Sequence, residues 1–123
     1  MITSRIDYDT GILYVDFKGE ITLEDLLEHV TIKERRSHYP KKLKILTNAT
    51  TAEFFLQPRD LIVVKEEMAR TLKKYKVIYD AFVVNHTKST ALSVFYMELA
   101  TLDNYHFKVF STKEAAENWL KSN

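Results

Sequence analysis

Histidine, serine, lysine and carboxylate side chains do most of the chemistry at protein sites, provided their spacing brings them together. Four histidines, His29, His38, His86 and His106, fall on different predicted elements, and no two are spaced i, i+4. A metal ion needs several ligands converging at about 2 Å, so no metal site is expected. His86 lies beyond the end of a predicted central strand, close to Asn85, Ser89 and Thr90. In open α/β sheets the crevice past the C-terminal strand ends is the usual ligand position. A Ser–His pair there would suit acyl transfer, but no glycine-flanked nucleophile elbow accompanies it. Ser89 or Thr90 is expected to open a helix instead. The expectation is therefore no catalytic residue, with His86 kept as a ligand-facing candidate.

Other chemistries are excluded by what the 123 residues lack. There is no cysteine, hence no disulfide, thiolate ligand or thiol nucleophile. Gly11 and Gly19 stand apart, whereas a phosphate-cradling loop needs clustered glycines. No cofactor is expected. A net charge of +1 argues against a nucleic-acid binder.

The charges are nevertheless unevenly placed. Lys33, Arg35, Arg36, Lys41, Lys42 and Lys44 form one basic stretch, and Arg70, Lys73, Lys74 and Lys76 a second. Both follow predicted helices and precede predicted parallel strands, so they should gather at one sheet edge. Helix dipoles favour cations late in a helix, but Lys41 and Lys42 lie past that need. Arg35, Arg36, Lys41 and Lys42 are candidates for contact with an anionic surface such as a membrane.

The elements that position these residues follow from hydrophobic period. Ile2, Ile6 and Tyr8 share one parity, Asp9-Thr10-Gly11 is a turn, and Leu13, Val15 and Phe17 alternate with polar neighbours. This predicts an antiparallel hairpin. Thr22 with Asp25 predicts a capped helix start, with Leu23, Leu26, Leu27 and Val30 on its inner face. Leu43 to Asn48 is a short strand. Ala49 to Gln57, with Phe54-Phe55-Leu56, is expected to be a loop. Pro58 suits the first turn of a second helix, faced by Leu61, Val64, Met68 and Leu72. Val77 to Val84 is apolar at both parities apart from Asp80, as for a central strand covered on both sides. A third helix runs from Ser89 or Thr90 to about Leu102. A strand with Phe107, Val109 and Phe110 follows. A capping box at Ser111–Glu114 then starts a last helix with Ala115, Ala116, Trp119 and Leu120 inward.

One α/β domain spanning 1–123 is predicted, with a mostly parallel five-stranded sheet, an antiparallel first edge strand and four helices on both faces. The apolar share of 46% against 28% charged fits a globular chain. Residues Met1 to Thr10 carry Arg5, Asp7 and Asp9 and no long apolar run, so neither a signal peptide nor a membrane span is expected. The third helix is apolar nearly all round, and Phe54-Phe55-Leu56 adds a second surplus. Three arrangements would absorb it: closure of the core, pairing of two chains, or a cleft for an apolar ligand.

Gly11-Ile12-Leu13-Tyr14-Val15 leading to Gly19-Glu20-Ile21-Thr22, and the ending Phe107-Lys108-Val109-Phe110-Ser111 with Glu114-Ala115-Ala116 and Trp119-Leu120, resemble STAS-like domains. The nearest likeness is to the SpoIIAA-like branch of stand-alone bacterial proteins. That resemblance implies a fold shared with anti-sigma-factor antagonists and similar to CRAL-TRIO lipid-binding domains. It also implies a cytoplasmic, non-enzymatic regulatory module working through a protein partner or as a homodimer. The antagonists carry a phosphorylatable serine in an Asp-Ser-x-Gly type motif where the third strand meets the second helix. Here that place reads Asn48-Ala49-Thr50-Thr51, leaving Thr50 and Thr51 as the hydroxyls at the switch position. The alternative is an apolar-ligand or lipid-binding protein that visits the membrane periphery. Phe54, Phe55, Phe95, Tyr96, Leu99 and His86 would then be its ligand contacts.

Overall fold

In the computed structural model of the protein, the backbone is described for residues 1–36 and 38–123, and the side chains of Glu34 and Arg35 are left out of the description. The chain runs β1 (Ile2–Asp7), β2 (Ile12–Thr22), α1 (Leu23–Arg35), β3 (Lys42–Phe55), α2 (Asp60–Thr71), a 3-10 turn (Leu72–Lys74), β4 (Val77–Val83), α3 (Thr87–Leu99), β5 (Tyr105–Phe110) and α4 (Lys113–Lys121). The strands lie side by side in sequence order, β1-β2-β3-β4-β5. β1 is antiparallel to β2, and the remaining pairs are parallel. The predicted element order and sheet class are those observed.

Strand order decides where the helices go. Each parallel step moves the same way across the sheet, and right-handed crossovers then carry every connecting helix to one face. So α1, α2 and α3 share a face, and α1 packs closely on α2. Among the described residues, only α4 covers the other face, against β3, β4 and β5. The larger core lies under α1–α3. The smaller joins Ile12, Leu46, Ala81 and Val83 to Ala116 and Leu120.

Local chemistry sets the joints. Gly11 closes the β1–β2 turn at φ 73°, a left-handed conformation that costs glycine nothing. The Asp7 carboxylate accepts from the Asp9 amide at 3.0 Å. Thr22 caps α1: its hydroxyl accepts from the Asp25 amide at 3.2 Å, and Asp25 accepts from the Thr22 amide at 2.9 Å. At α4 the cap is Thr112, accepting from the Ala115 amide at 3.2 Å. The box expected at Ser111–Glu114 is therefore shifted by one residue. α3 starts at Thr87, ahead of Ser89 and Thr90, with His86 in the cap position.

One expectation is corrected. The segment 49–57 is not a loop: β3 continues to Phe55. The far half of β2 offers an open edge, and Lys18–Thr22 pairs with Thr51–Phe55. Threonines and phenylalanines suit such a strand. Between Asp16 and Lys18 the partner jumps from Asn48 to Thr51, an extra residue in β3. In α3 the buried stripe is Ser89, Ser93 and Tyr96, with Leu92 and Leu99 partly buried against the core. Small residues let the helix approach the aromatic sheet, with Tyr96 and Phe107 ring centres at 4.8 Å. Phe95 is pushed outward, 41% exposed.

Candidate functional site

A cavity of about 80 Å³ lies between the sheet and the three crossover helices. Its floor is aromatic. Phe17 on β2, Phe54 on β3, Phe82 on β4 and Phe107 on β5 project from successive strands. Ring centres are 5.7 Å apart for Phe17–Phe82 and 5.5 Å for Phe82–Phe107. Leu56 and Leu92, both partly buried, also line it.

Into this apolar space come five titratable side chains: His29 and Lys33 from α1, Asp80 from β4, Tyr96 from α3 and Tyr105 from β5. Lys33 is 3% exposed and Asp80 8% exposed, which is rare for groups of full charge. Lys33 is four residues past His29, so both sit on one helical face. Its Nζ lies 2.8 Å from His29 Nε2 and donates to the His29 carbonyl at 3.3 Å. Tyr105 donates its hydroxyl to Asp80 Oδ2 at 2.7 Å, and Tyr96 donates to Tyr105 at 3.3 Å. The last turn of α1 is fixed from outside: Tyr75 donates to the Lys33 carbonyl at 2.7 Å, and Thr71 to that of Val30 at 3.3 Å.

Burial governs the protonation of all five. Loss of water pushes the Lys33 ammonium down to about 8, partly countered by Asp80. Burial and then the Lys33 charge press His29 well below its usual value, so its ring is neutral. Burial raises Asp80, against the Tyr105 hydrogen bond and the Lys33 charge. Tyr96 and Tyr105 are raised by burial above the ordinary phenol range. Lys33 and Asp80 feel each other but make no direct ion pair. Among the described residues the close ion pairs are Arg70–Glu67 and the pairs of Lys113 and Lys121 with Glu117.

The residues singled out from the sequence are dispersed. Phe54 and Tyr96 line the cavity. Phe55, next along an alternating strand, points away and is 50% exposed. Phe95 is on the outer side of α3, and Leu99 packs against the main core without lining the cavity. His86 is exposed, its Nε2 at 2.9 Å from the Thr50 carbonyl, and so ties α3's start to the β3 bulge. Thr50 and Thr51 sit mid-strand, not at a strand–helix junction. The Thr50 hydroxyl donates to Asn48 Oδ1 at 2.8 Å, while Thr51 is exposed.

The two basic stretches do meet: the Lys76 amide donates to the Lys41 carbonyl at 2.8 Å, and Lys41 Nζ to that of Lys74 at 3.2 Å. Lys33 leaves that surface group altogether. Arg36, Lys41 and Lys42 are exposed, and the side chain of Arg35 lies outside the described residues. No group of three metal-binding side chains occurs among the described residues, and no described helix is long and apolar enough to cross a membrane.

An antiparallel edge strand, three parallel pairings in chain order and a lone helix behind the sheet make up the SpoIIAA-like fold. It is shared with an uncharacterised protein of the DUF3478 family from Shewanella loihica PV-4. The two match with a TM-score of 0.63 and 18% identity, over 98% of this chain and 92% of that one. The anti-sigma factor antagonist SpoIIAA, in its unphosphorylated form, matches with a TM-score of 0.57 and 9% identity over 100% of both chains. No family model matches the sequence, and no curated protein matches it significantly. Identities this low define the fold and leave the role to the site.

Proposed function

We propose that the protein is a non-enzymatic binding module with a regulatory role, engaging a protein partner or a second copy of itself. The observation that carries this is the end-to-end likeness to SpoIIAA, an anti-sigma factor antagonist. The outward apolar residues support it: Phe55, Ile62, Val63 and Phe95 are each at least 41% exposed, and exposed apolar side chains of this size favour association. Site-specific photo-crosslinking in the source cells tests it, with the crosslinker at Phe95 and a control at Lys121 behind the sheet. One recurrent adduct from position 95 and none from 121 is expected. Equal background at both positions, with a monomer by light scattering at every concentration, would sink the proposal.

The cavity favours a second function, binding of a small apolar ligand. An aromatic floor with a few converging polar groups is the usual form of such a site. In this second function Lys41 and Lys42 add an anion-facing edge. Native mass spectrometry after exposure to lipid extracts tests it, and a clean unliganded mass would count against it.

A further inference from the structure

We infer that the α1–α3 cavity receives a small uncharged molecule with a hydroxyl head and an apolar body, a short alcohol in character, whose hydroxyl bridges Lys33 and Asp80. The inference rests on the ligand-binding function above and names its ligand class.

The two head contacts are incomplete in complementary ways. An ammonium has three donors, and the two contacts of Lys33 Nζ both go to His29. Asp80 accepts from Tyr105 through Oδ2 alone. No buried side-chain nitrogen or oxygen among the described residues lacks a partner, so Oδ1 keeps some accessible surface, and Asp80 is among the residues that line the cavity. Lys33, with a donor to spare, and Asp80, with an acceptor to spare, line the same cavity and make no ion pair with each other. A group that accepts from one and donates to the other completes both, and a hydroxyl does so with a single atom.

Charge selects against other heads. Lys33 and Asp80 together are neutral. A carboxylate ligand would leave the pocket negative and an amine would leave it positive, each at high cost in an apolar surround. A halide or hydrocarbon end would leave both polar groups unmet. Water has the right head but no body, and each methylene laid on the phenylalanine floor is worth about fourfold in affinity. The 80 Å³ cavity is about half an engineered 150 Å³ cavity that holds benzene. It suits a hydroxyl with a few carbons.

Four butyl compounds form the test: 1-butanol, 1-chlorobutane, butyrate and butylammonium, titrated separately at pH 7 and followed by NMR shifts of Phe17, Phe82 and Phe107. Butanol is expected to bind at least about tenfold tighter than each of the others, the worth of one satisfied polar contact. Replacing both heads by Lys33→Met with Asp80→Leu should abolish the preference for butanol over chlorobutane. Single Lys33→Met should halve it or more, should the double variant not fold. Chlorobutane binding as tightly as butanol would overturn the hydroxyl inference and leave an apolar site standing. Butyrate binding tightest would overturn it in favour of an anionic head. No shift with any compound would remove both the inference and the ligand-binding function beneath it.

Discussion

Replacing Lys33 by methionine gives a stability difference that depends on pH in a calculable way. Methionine keeps the length and apolar stem and removes only the charge. Lys33 is lowered from 10.5 to about 8 in the folded protein. At about 1.36 kcal/mol for each pH unit, folding disfavours the ammonium by about 3 kcal/mol wherever both states are protonated. That cost is complete below pH 8. Between pH 8 and 10.5 the unfolded chain holds the proton and the folded one does not, so the wild type gains stability as pH rises. Tyrosine ionisation begins near pH 10, but it acts on both proteins and cancels in their difference. Wild type should therefore gain roughly 2 to 3 kcal/mol on the variant between pH 7 and pH 10. At pH 7 the variant should be the more stable, by an amount reduced by about 1 kcal/mol because His29 no longer has the Lys33 amine as its hydrogen-bond partner. Urea unfolding of both proteins at the two pH values measures this. A gap that stays constant within about 0.5 kcal/mol, roughly the error of such extrapolations, would show that the Lys33 amine is not desolvated as described.

Three further outcomes follow from the packing. Tyr105→Phe leaves Asp80 without its hydroxyl donor and should cost about 1 to 3 kcal/mol in denaturant unfolding at pH 7. Leu120→Ala opens a void in the smaller core, where Leu120 is fully buried, and should cost about 2 to 5 kcal/mol by the same assay. His29 is held neutral when folded, but its unfolded counterpart takes up a proton below about 6.5. Stability should fall as pH drops from 7 to 5, and His29→Phe should flatten that slope in thermal unfolding.

Most of the fold is legible in the residues, and the reasons are local. Leu13, Val15 and Phe17 alternate with Tyr14 and Asp16, and all three are buried in β2. The Thr22–Asp25 box marks α1's first turn to the residue. The cavity is harder to see because its key groups are charged. Lys33 counts as one more cation in a basic run, yet Leu26, Val30 and Lys33 continue one inner stripe at helical spacing, and that spacing is the signal. Asp80 stands out as the lone acid in an apolar strand, but its partner Tyr105 lies 25 residues on. α3 defeats the hydrophobic period outright. Its neighbours on β5 are aromatic, so Ser89 and Ser93 go inward and Phe95 outward. The far half of β3 depends on pairing with β2, which no local pattern encodes.

The sequential strand order has a consequence for how the molecule assembles. Every pairing joins strands adjacent in the chain, so the sheet can grow from the β1–β2 hairpin one crossover at a time as synthesis proceeds. The aromatic floor completes itself along the same path, from Phe17 to Phe107. The opposite face does not. Ile12, Leu46, Ala81 and Val83 are laid down strand by strand, while the helix that covers them, Lys113–Lys121, comes last. Until it docks, a growing apolar surface stands open on one side of an otherwise native-like sheet. Apolar surface exposed in that interval is prone to aggregate until the helix covers it.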